Sequence, residues 1–320
     1  MDKLIKQVLY YGTIAPSSHN TQPWSFKVIN STVEVYVDDK RTLKYSDPRK
    51  WETYLSLGAC LTNLLEAAKA YDALEKVNIF PEVSNRKLIA QIILKKGSKS
   101  VNFNLLRAIK QRQTNRSNYL SKSVSVDLLK KWQKMATSDM VSAIIVGDRT
   151  KIKEIAQLQY DATMKAFSDK KFREELSLWV RNNLTRAHDG MPGYVTNIPL
   201  LLSFLGSWMI KNINIGKMQG GVEKKWILSS PTILILTIKK NNPENLLKAG
   251  QVFEQIAIDV TANSLVYAPL GAIIETPEVS KKLKSLLSID ETPVMLIRIG
   301  YSNKRYKFAP KRKVEEVLIS

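Results

Sequence analysis

The chain has 320 residues, a mass of 36.3 kDa and a formal net charge of +20. Its content of 44% hydrophobic and 24% charged residues is typical of a globular protein with a substantial core, and excludes a disordered or fibrous chain. A single cysteine, Cys60, excludes an internal disulfide framework. Together with first residues that lack an apolar signal-peptide core, it predicts a cytoplasmic location. Two histidines, His19 and His188, make a histidine-based metal site improbable, and we predict no metal.

The excess of 49 Lys and Arg over 29 Asp and Glu could indicate a polyanionic partner. The basic residues are spread along the chain, are mostly lysine, and rarely alternate with aromatic residues. A lysine-rich composition is therefore the preferred explanation, and we expect no nucleic-acid partner, although DNA binding stays open as an alternative. The charge would still attract small anionic ligands.

The first hundred residues predict a short helix, a hairpin, a long apolar helix and two further strands. The hairpin pairs Phe26–Ile29 with Val33–Val37 across Asn30-Ser31. The helix runs from Tyr54 to about Tyr71 and is apolar on most faces, so we expect it in a core. The two further strands are Val77–Phe80 and Leu88–Leu94.

The loop between the first helix and the hairpin carries the strongest chemical signal. Its sequence, residues 15–26, is Ala-Pro-Ser-Ser-His-Asn-Thr-Gln-Pro-Trp-Ser-Phe. Two prolines stiffen the backbone, and closely spaced hydroxyl and amide groups offer uncharged donors and acceptors. Such a loop suits a flat heteroaromatic ligand with carbonyls and ring nitrogens on its rim, or forms a simple capping turn.

The remaining residues predict a second set of elements with a long insertion, at about residues 150–226. The insertion contains helical patterns over Ile152–Phe167 and Phe172–Leu184 and the apolar run Asn197–Ile210. That run is too short and too interrupted to span a bilayer. We expect a core or lid helix, with weak membrane association as the alternative. Buried strands are predicted at Ile233–Ile238 and Val294–Gly300, and a turn with Pro and Gly at Tyr267–Ala272.

One basic-polar segment stands out in this second part. In Arg112-Gln113-Thr114-Asn115-Arg116, two guanidinium groups flank a hydroxyl. Arginine makes forked, charge-assisted hydrogen bonds to phosphate oxygens, so the three side chains could converge on one anion. A solvated surface run is the alternative.

The loop pattern Ala-Pro-Ser-Ser-x-Asn-x-Gln-Pro-Trp-x-Phe resembles the signature loop of the nitroreductase family of FMN-dependent oxidoreductases. The Arg112–Arg116 segment resembles the Arg-x-Ser-x-Arg/Lys segment with which that family holds the FMN phosphate, with threonine in place of serine. The resemblance implies that Gln22, Pro23 and Trp24 shape the loop. It also implies flavin contacts, which we expect from Pro16, Ser17, Ser18, Asn20, Arg112, Gln113, Thr114, Arg116, Ala268, Pro269, Leu270, Gly271, and Lys311 or Arg312.

In the simplest members of the family the phosphate segment precedes the loop, whereas here it follows. A degenerate repeat offers an explanation, because Leu57–Ala68 aligns with Ala249–Val260. Simple nitroreductases are homodimers whose flavin sites draw on both subunits, and two fused halves would do this within one chain. We therefore predict an α+β fold with two half-domains, at 1–100 and 101–320, each a mixed sheet wrapped by helices, packed around one flavin site.

The predicted function is hydride transfer from NAD(P)H through FMN to a nitroaromatic, a quinone or a related small acceptor. Because the flavin carries the redox chemistry, no catalytic side chain is assigned. The alternative is a flavin-sequestering protein of the same fold, whose closed lid excludes nicotinamide and acceptor. We expect no membrane partner, and either a pseudo-dimeric monomer or a homodimer.

Overall fold

The computed structural model describes residues 2–82, 84–97 and 100–319. The α-helices are α1 (Lys3–Thr13), α2 (Trp51–Ala70), α3 (Phe103–Gln111), α4 (Val126–Ala136), α5 (Arg149–Ser168), α6 (Lys170–Ser177), α7 (Leu200–Ser203), α8 (Gly206–Asn212), α9 (Gly216–Ser229), α10 (Pro243–Ala262), α11 (Ala272–Glu275), α12 (Pro277–Leu287) and α13 (Val314–Val317). The strands are β1 (Trp24–Ile29), β2 (Thr32–Val37), β3 (Leu74–Ile79), β4 (Leu88–Leu94), β5 (Val141–Val146), β6 (Val180–Arg181), β7 (Met191–Pro192), β8 (Thr232–Ile238), β9 (Val266–Leu270) and β10 (Thr292–Gly300). Short 3-10 helices lie at Ser18–Asn20, Asp39–Arg41 and Gly193–Thr196. Helices surround sheets of mainly antiparallel strands, as predicted for an α+β fold.

Two four-stranded antiparallel sheets have equivalent strand orders, β1-β2-β4-β3 and β5-β8-β10-β9. In the first sheet, the long helix α2 connects β2 to the edge strand β3. In the second sheet, the long helix α10 connects β8 to the edge strand β9 in the same way. The two sheets fit the predicted α+β fold with two half-domains. The expected boundary near residue 100 includes Ser98 and Lys99, which lie outside the described residues.

The insertion occupies one defined place in this scheme. Strands β1 and β2 are joined by a tight hairpin at Asn30-Ser31, whereas their equivalents β5 and β8 are separated by residues 147–231. A turn of two residues in one half thus corresponds in the other to helices α5 to α9 and the small parallel pair β6-β7.

Helices α2 and α10 cross in the centre of the molecule with their backbones in close approach. A Cβ atom built on Gly58 would lie 2.2 Å from the carbonyl oxygen of Leu247, and one on Gly250 would lie 2.1 Å from that of Leu55. Gly58 and Gly250 are the two glycines that the repeat aligns. Both helices are buried on most faces, which is why their sequences are apolar nearly all round.

The C-terminal segment returns to the first half. The backbone N–H of Ile319 donates to the carbonyl of Phe26 over 2.8 Å, and Val314 and Val317 join the same apolar core as Phe26. This return brings residues 310–313 to the loop that precedes β1.

Two sequence predictions are wrong in ways that tertiary structure explains. The helix predicted over Phe172–Leu184 ends at Ser177, because the chain then forms β6 and pairs with β7. The run Tyr267–Leu270, expected as a turn, forms most of β9, and the turn begins only at Gly271. Pro269 is tolerated there because β9 is the edge strand of its sheet.

The apolar run Asn197–Ile210 is not a core helix. It forms α7 and α8, and most of its large apolar side chains are exposed. Within the described ranges, no helix has both the length and the apolar character required to cross a bilayer.

Candidate functional site

The loop between α1 and β1 has an unusual backbone. His19, Asn20 and Gln22 have positive φ angles of 49°, 56° and 54°, although none is glycine. Left-handed conformations are unfavourable for residues with a Cβ and persist only where surrounding contacts impose them. One such contact is the backbone N–H of Gly190, in the insertion, which donates to the carbonyl of Asn20 over 3.2 Å. The insertion therefore helps to fix the shape of the loop.

The side chain of Asn20 joins three segments of the chain. Its Nδ2 donates to the carbonyl oxygens of Gly190 (2.9 Å) and Pro310 (2.8 Å), and its Oδ1 accepts from Nζ of Lys311 (2.8 Å). Both amide hydrogens are thus used within the protein. Gln22 is fully buried, donates to the carbonyl of His188 and accepts from the backbone N–H of Arg312, each over 2.8 Å.

The two C-terminal cations have different surroundings. Nζ of Lys311 donates to the carbonyl of Ala15 (2.6 Å) as well as to Asn20, which leaves one of its three hydrogens unused. Burial, followed by the nearby Arg112 guanidinium, lowers the pKa of Lys311 to about 7. The guanidinium of Arg312 instead donates to the carbonyls of Gln22 and Trp24 and contacts Asp38, so it ties the tail to β1 and its approach.

The Arg112–Arg116 segment runs beside β9 as a short extended strand. Thr114 forms a parallel bridge with Tyr267, and the N–H of Asn115 donates to the Tyr267 carbonyl over 2.8 Å. In extended backbone, alternate side chains point to one side, which groups Arg112, Thr114 and Arg116. Gln113 instead reaches the carbonyl of Tyr306, at 2.9 Å.

Arg112 lies in a buried charge cluster. Its Nε is 2.9 Å from Oε1 of Glu254, its Nη1 donates to the hydroxyl of Tyr267 (2.6 Å), and its Nη2 donates to the carbonyl of Ile14 (3.0 Å). Glu254 has no exposed surface, and burial raises its pKa to about 7 against the opposing effects of Arg112 and Lys311. The cluster therefore contains two cations and one carboxyl, next to the loop.

Arg116 differs from Arg112 because, within the described ranges, its guanidinium forms no hydrogen bond and no ion pair. Burial lowers its pKa, and the carboxylate of Glu223, on α9 of the insertion, opposes this shift. Arg116 is in turn one of the charges that act on His19, whose pKa is lowered first by burial. The charge of this guanidinium therefore acts on the loop at His19.

Two carboxyl groups converge on Gly271, where β9 ends. A Cβ atom on Gly271 would lie 2.0 Å from Oε1 of Glu275 and 3.5 Å from Oε1 of Glu52. Burial, and then the partner carboxyl of Glu275, raises the pKa of Glu52 well above its ordinary value, and burial also raises the pKa of Glu275. Glu275 and Gly271 nevertheless retain accessible surface.

Ser18 and His19 of the loop, Glu52 of α2, Gly271 and Glu275 after β9, and Arg116 thus lie near one another. We call the region that they surround the cleft. Of the predicted residues here, Ala268 and Leu270 are buried and Pro269 is half-buried, whereas Gly271, directly after β9, is exposed and borders the cleft. The hydroxyl oxygen of Ser17 accepts from the backbone N–H of Gln22 (2.9 Å) and keeps its own hydrogen available.

No sequence motif indicates the paired carboxyls Glu52 and Glu275, and none indicates Glu254 or Tyr267. Glu52 lies in the first turn of α2, and Glu275 ends α11. No short motif links these residues, and only the packing of the two halves brings them to the loop. The signal that the sequence does offer is a carboxyl within a mostly buried, apolar helix, as with Glu254 in α10, which indicates a buried charge.

No protein-family model matches the chain. Curated relatives from Mycobacterium tuberculosis match it over nearly its whole length. One, named "Putative NAD(P)H nitroreductase acg", is 22% identical over 98% of this chain and 95% of its own. Another, "Putative NAD(P)H nitroreductase Rv3131", is 23% identical over 93% of this chain and 85% of its own. These relatives confirm the resemblance to the nitroreductase family that the loop and the arginine segment predict.

Solved structures also match. A nitroreductase with bound FMN from Desulfitobacterium hafniense is 12% identical and has a TM-score of 0.41, and the match covers 63% of this chain and 90% of that chain. Because the TM-score is below 0.5, we base no conclusion on this superposition.

Proposed function

We propose that the protein is an FMN-dependent oxidoreductase that takes hydride from NAD(P)H and reduces a nitroaromatic, a quinone or a related small acceptor. The observation that carries the proposal is the meeting of an uncharged loop, residues 15–26, with the arginine segment, residues 112–116, at one cleft. The names of the full-length relatives support the same activity.

The donors at the cleft fit a flavin mononucleotide. Buried Arg112 and half-buried Lys311 are neighbouring basic groups, the Glu254 carboxyl offsets part of their charge, and Lys311 keeps an unused N–H. A phosphate dianion would relieve their repulsion and accept charge-assisted hydrogen bonds. Arg116, which lies with His19 rather than with Lys311, would instead face the carbonyl rim of the ring system. Ser17 and Ser18 would supply neutral donors.

FMN, when bound, supplies the hydride chemistry between nicotinamide and acceptor. The chain's own contribution beyond binding is a proton. Burial raises the pKa of Glu52 and of Glu275, and the neighbouring Glu275 carboxyl raises that of Glu52 further, so ionisation of both groups together is disfavoured. We propose that the pair shares a proton and gives it to an acceptor that has gained a hydride. Asn20, Gln22 and Arg312 hold the loop in shape.

Comparing FMN with riboflavin tests the assignment, because the two ligands differ only in the phosphate. Lys311→Met keeps most of the side-chain volume and removes the charge. We expect this variant to lose about 1.5–3 kcal/mol of FMN affinity, roughly 10- to 150-fold, with riboflavin affinity unchanged. Arg116→Ala should weaken both ligands. The measurement is fluorescence titration of each flavin, with Lys304→Met at an exposed position as the matched control.

Two outcomes would contradict the proposal. Equal losses for FMN and riboflavin in Lys311→Met would remove the phosphate assignment. Anaerobic stopped-flow mixing of the flavin-loaded protein with NADH and with NADPH tests the reductase activity separately. Flavin bleaching is expected with at least one of them; no bleaching with either would instead fit a flavin-sequestering protein.

A further inference from the structure

The segment from Leu200 to Trp208 has its large apolar side chains outside and its small residues inside. Leu201 is 80% exposed and Trp208 is 59% exposed, whereas Ser203 is 3% exposed and Gly206 is buried. Ser203 is fixed by a hydrogen bond from the backbone N–H of Asn183 over 3.0 Å. We call the exposed set the apolar ridge; it consists of Leu200, Leu201, Leu202, Phe204, Leu205 and Trp208.

The exposed apolar area of the ridge is at the upper end of what the surface of a monomeric protein normally carries. Each of its six side chains is at least 45% exposed, so together they present on the order of 600 Å² of contiguous apolar surface. Patches of that size on a protein surface usually mark an interaction site. The hydrogen bonds of Ser203 and the burial of Gly206 show that this orientation is built into the fold.

The charge around the ridge is positive. Helix α6, which packs against α8, and the residues from there to 223 contain seven basic and four acidic side chains, and Asp189 is already paired with Arg41 and Arg181. Lys211 and Lys217, at the end of α8 and the start of α9, are exposed. At the other end of the ridge, Asn197 donates to the hydroxyl of Tyr306, so the basic stretch Lys304–Phe308 borders it.

We propose that the apolar ridge docks onto the surface of an anionic lipid bilayer. Leucine, phenylalanine and tryptophan side chains insert at the boundary between headgroups and acyl chains, and flanking lysines attract anionic headgroups. A second copy of the chain fits less well, because it would bring together two faces with the same positive charge on molecules of net charge +20. This docking concerns the bilayer surface, and it is independent of the FMN assignment.

Vesicle flotation of the full chain tests the inference with two lipid mixtures, phosphatidylcholine alone and phosphatidylcholine with 30% phosphatidylglycerol. Leu201→Ser/Trp208→Ser removes the most exposed part of the ridge and leaves the charge unchanged. The control, Phe103→Ser/Val126→Ser, changes two equally exposed apolar side chains away from the ridge. We expect wild type and control to float with anionic vesicles, and the ridge variant to bind at least tenfold more weakly.

The ridge variant separates docking from the general attraction of a basic protein to anionic lipid. If it floats as well as wild type, or if wild type does not bind anionic vesicles, the inference is wrong. Sedimentation velocity of the same proteins without lipid tests the alternative that a second copy of the chain binds to the ridge. A wild-type dimer that the ridge substitutions convert to a monomer would make the ridge a self-association surface and overturn lipid docking.

Discussion

Arg112 was predicted as a phosphate ligand, and its packing gives it a second role as the counter-ion of Glu254. The carboxyl of Glu254 has no exposed surface and lies 2.9 Å from Nε of Arg112. A buried ion pair contributes little net stability, but removing one partner leaves an uncompensated buried charge. The effect of changing Arg112 is therefore expected first in folding and only then in flavin binding.

Arg112→Ala should lower the free energy of unfolding by about 3–5 kcal/mol, because Glu254 would remain buried without its counter-ion. Urea unfolding followed by circular dichroism measures this change. Arg305→Ala, at an exposed position, removes the same charge and should leave the unfolding free energy within about 0.5 kcal/mol of wild type. Equal stability of the two variants would mean that the Arg112–Glu254 contact does not matter for folding.

Asp47 gives the fold a pH dependence of definite sign. Burial, and then the neighbouring Glu52 carboxyl, raises its pKa from 3.8 to about 6. The folded state therefore binds the proton more tightly than the unfolded state, and this contribution is present below pH 4 and is lost as pH rises towards 6.

The unfolding free energy should fall by on the order of 2–3 kcal/mol between pH 4 and pH 6 through Asp47. Asp47→Asn cannot titrate and can still accept the hydrogen bonds from Thr53, so its profile should be flatter by that amount. Chemical denaturation across this pH range measures both profiles. Asp139→Asn, at an exposed position, should keep the wild-type slope, and a wild-type slope in Asp47→Asn would exclude Asp47 as the source.

At the scale of elements, the crossing of α2 and α10 depends on two glycines. Backbone atoms of the opposite helix occupy the space that a Cβ on Gly58 or Gly250 would need, at 2.2 and 2.1 Å. Since a carbonyl oxygen in a helix cannot move independently, an added methyl group would force the two helices apart.

Gly58→Ala and Gly250→Ala should each destabilise the protein by about 3 kcal/mol or more, despite the better helix propensity of alanine. Gly221→Ala is the matched control, because Gly221 lies within α9 and has no atom within 4 Å of the added methyl group. That variant should be unchanged or stabilised by about 0.5–1 kcal/mol. Thermal unfolding of the three variants measures these changes in stability. A Gly58→Ala variant as stable as wild type would contradict the close helix crossing.

Elements with a strong local pattern could be predicted from the sequence. Strand β4 has the predicted bounds, and the hairpin of β1 and β2 turns at the predicted residues. The failures have tertiary causes. Helix α6 ends because the residues that follow it form β6 and pair with β7, and Pro269 occupies a strand because β9 is at an edge. The apolar ridge is an exception to the rule that apolar runs are buried, because its small residues Ser203 and Gly206 face inwards and its large apolar side chains are exposed.

The candidate site could be predicted only in part for the same reason. The loop and the arginine segment are continuous patterns, so the sequence reveals them. Glu52, Glu254 and Glu275 come from different helices, and their raised pKa values arise from packing between the halves. Asn20 was expected to contact the flavin, but both hydrogens of its side-chain amide are used to join the loop to the insertion and to the C-terminal segment.

At the scale of the whole molecule, we propose that the two halves arose by duplication and then diverged. Equivalent strand orders and the paired glycines of α2 and α10 support this proposal. The halves are not equivalent in their connections, however. The loop between α1 and β1 spans residues 14–23, whereas its equivalent between α4 and β5 spans only residues 137–140.

This asymmetry predicts one flavin for each chain. The second half has no counterpart of the Ser/Asn loop, so a second, pseudo-symmetric cleft would lack one wall. FMN titration, combined with sedimentation equilibrium to count chains, should give one FMN per chain whether the protein is a monomer or a dimer. Arg116→Ala should reduce the affinity of every bound flavin and leave no unaffected class. A ratio of two would require a second cleft and would contradict the argument from asymmetry. A ratio of one flavin per two chains would require a site shared between chains and would contradict a complete site within one polypeptide.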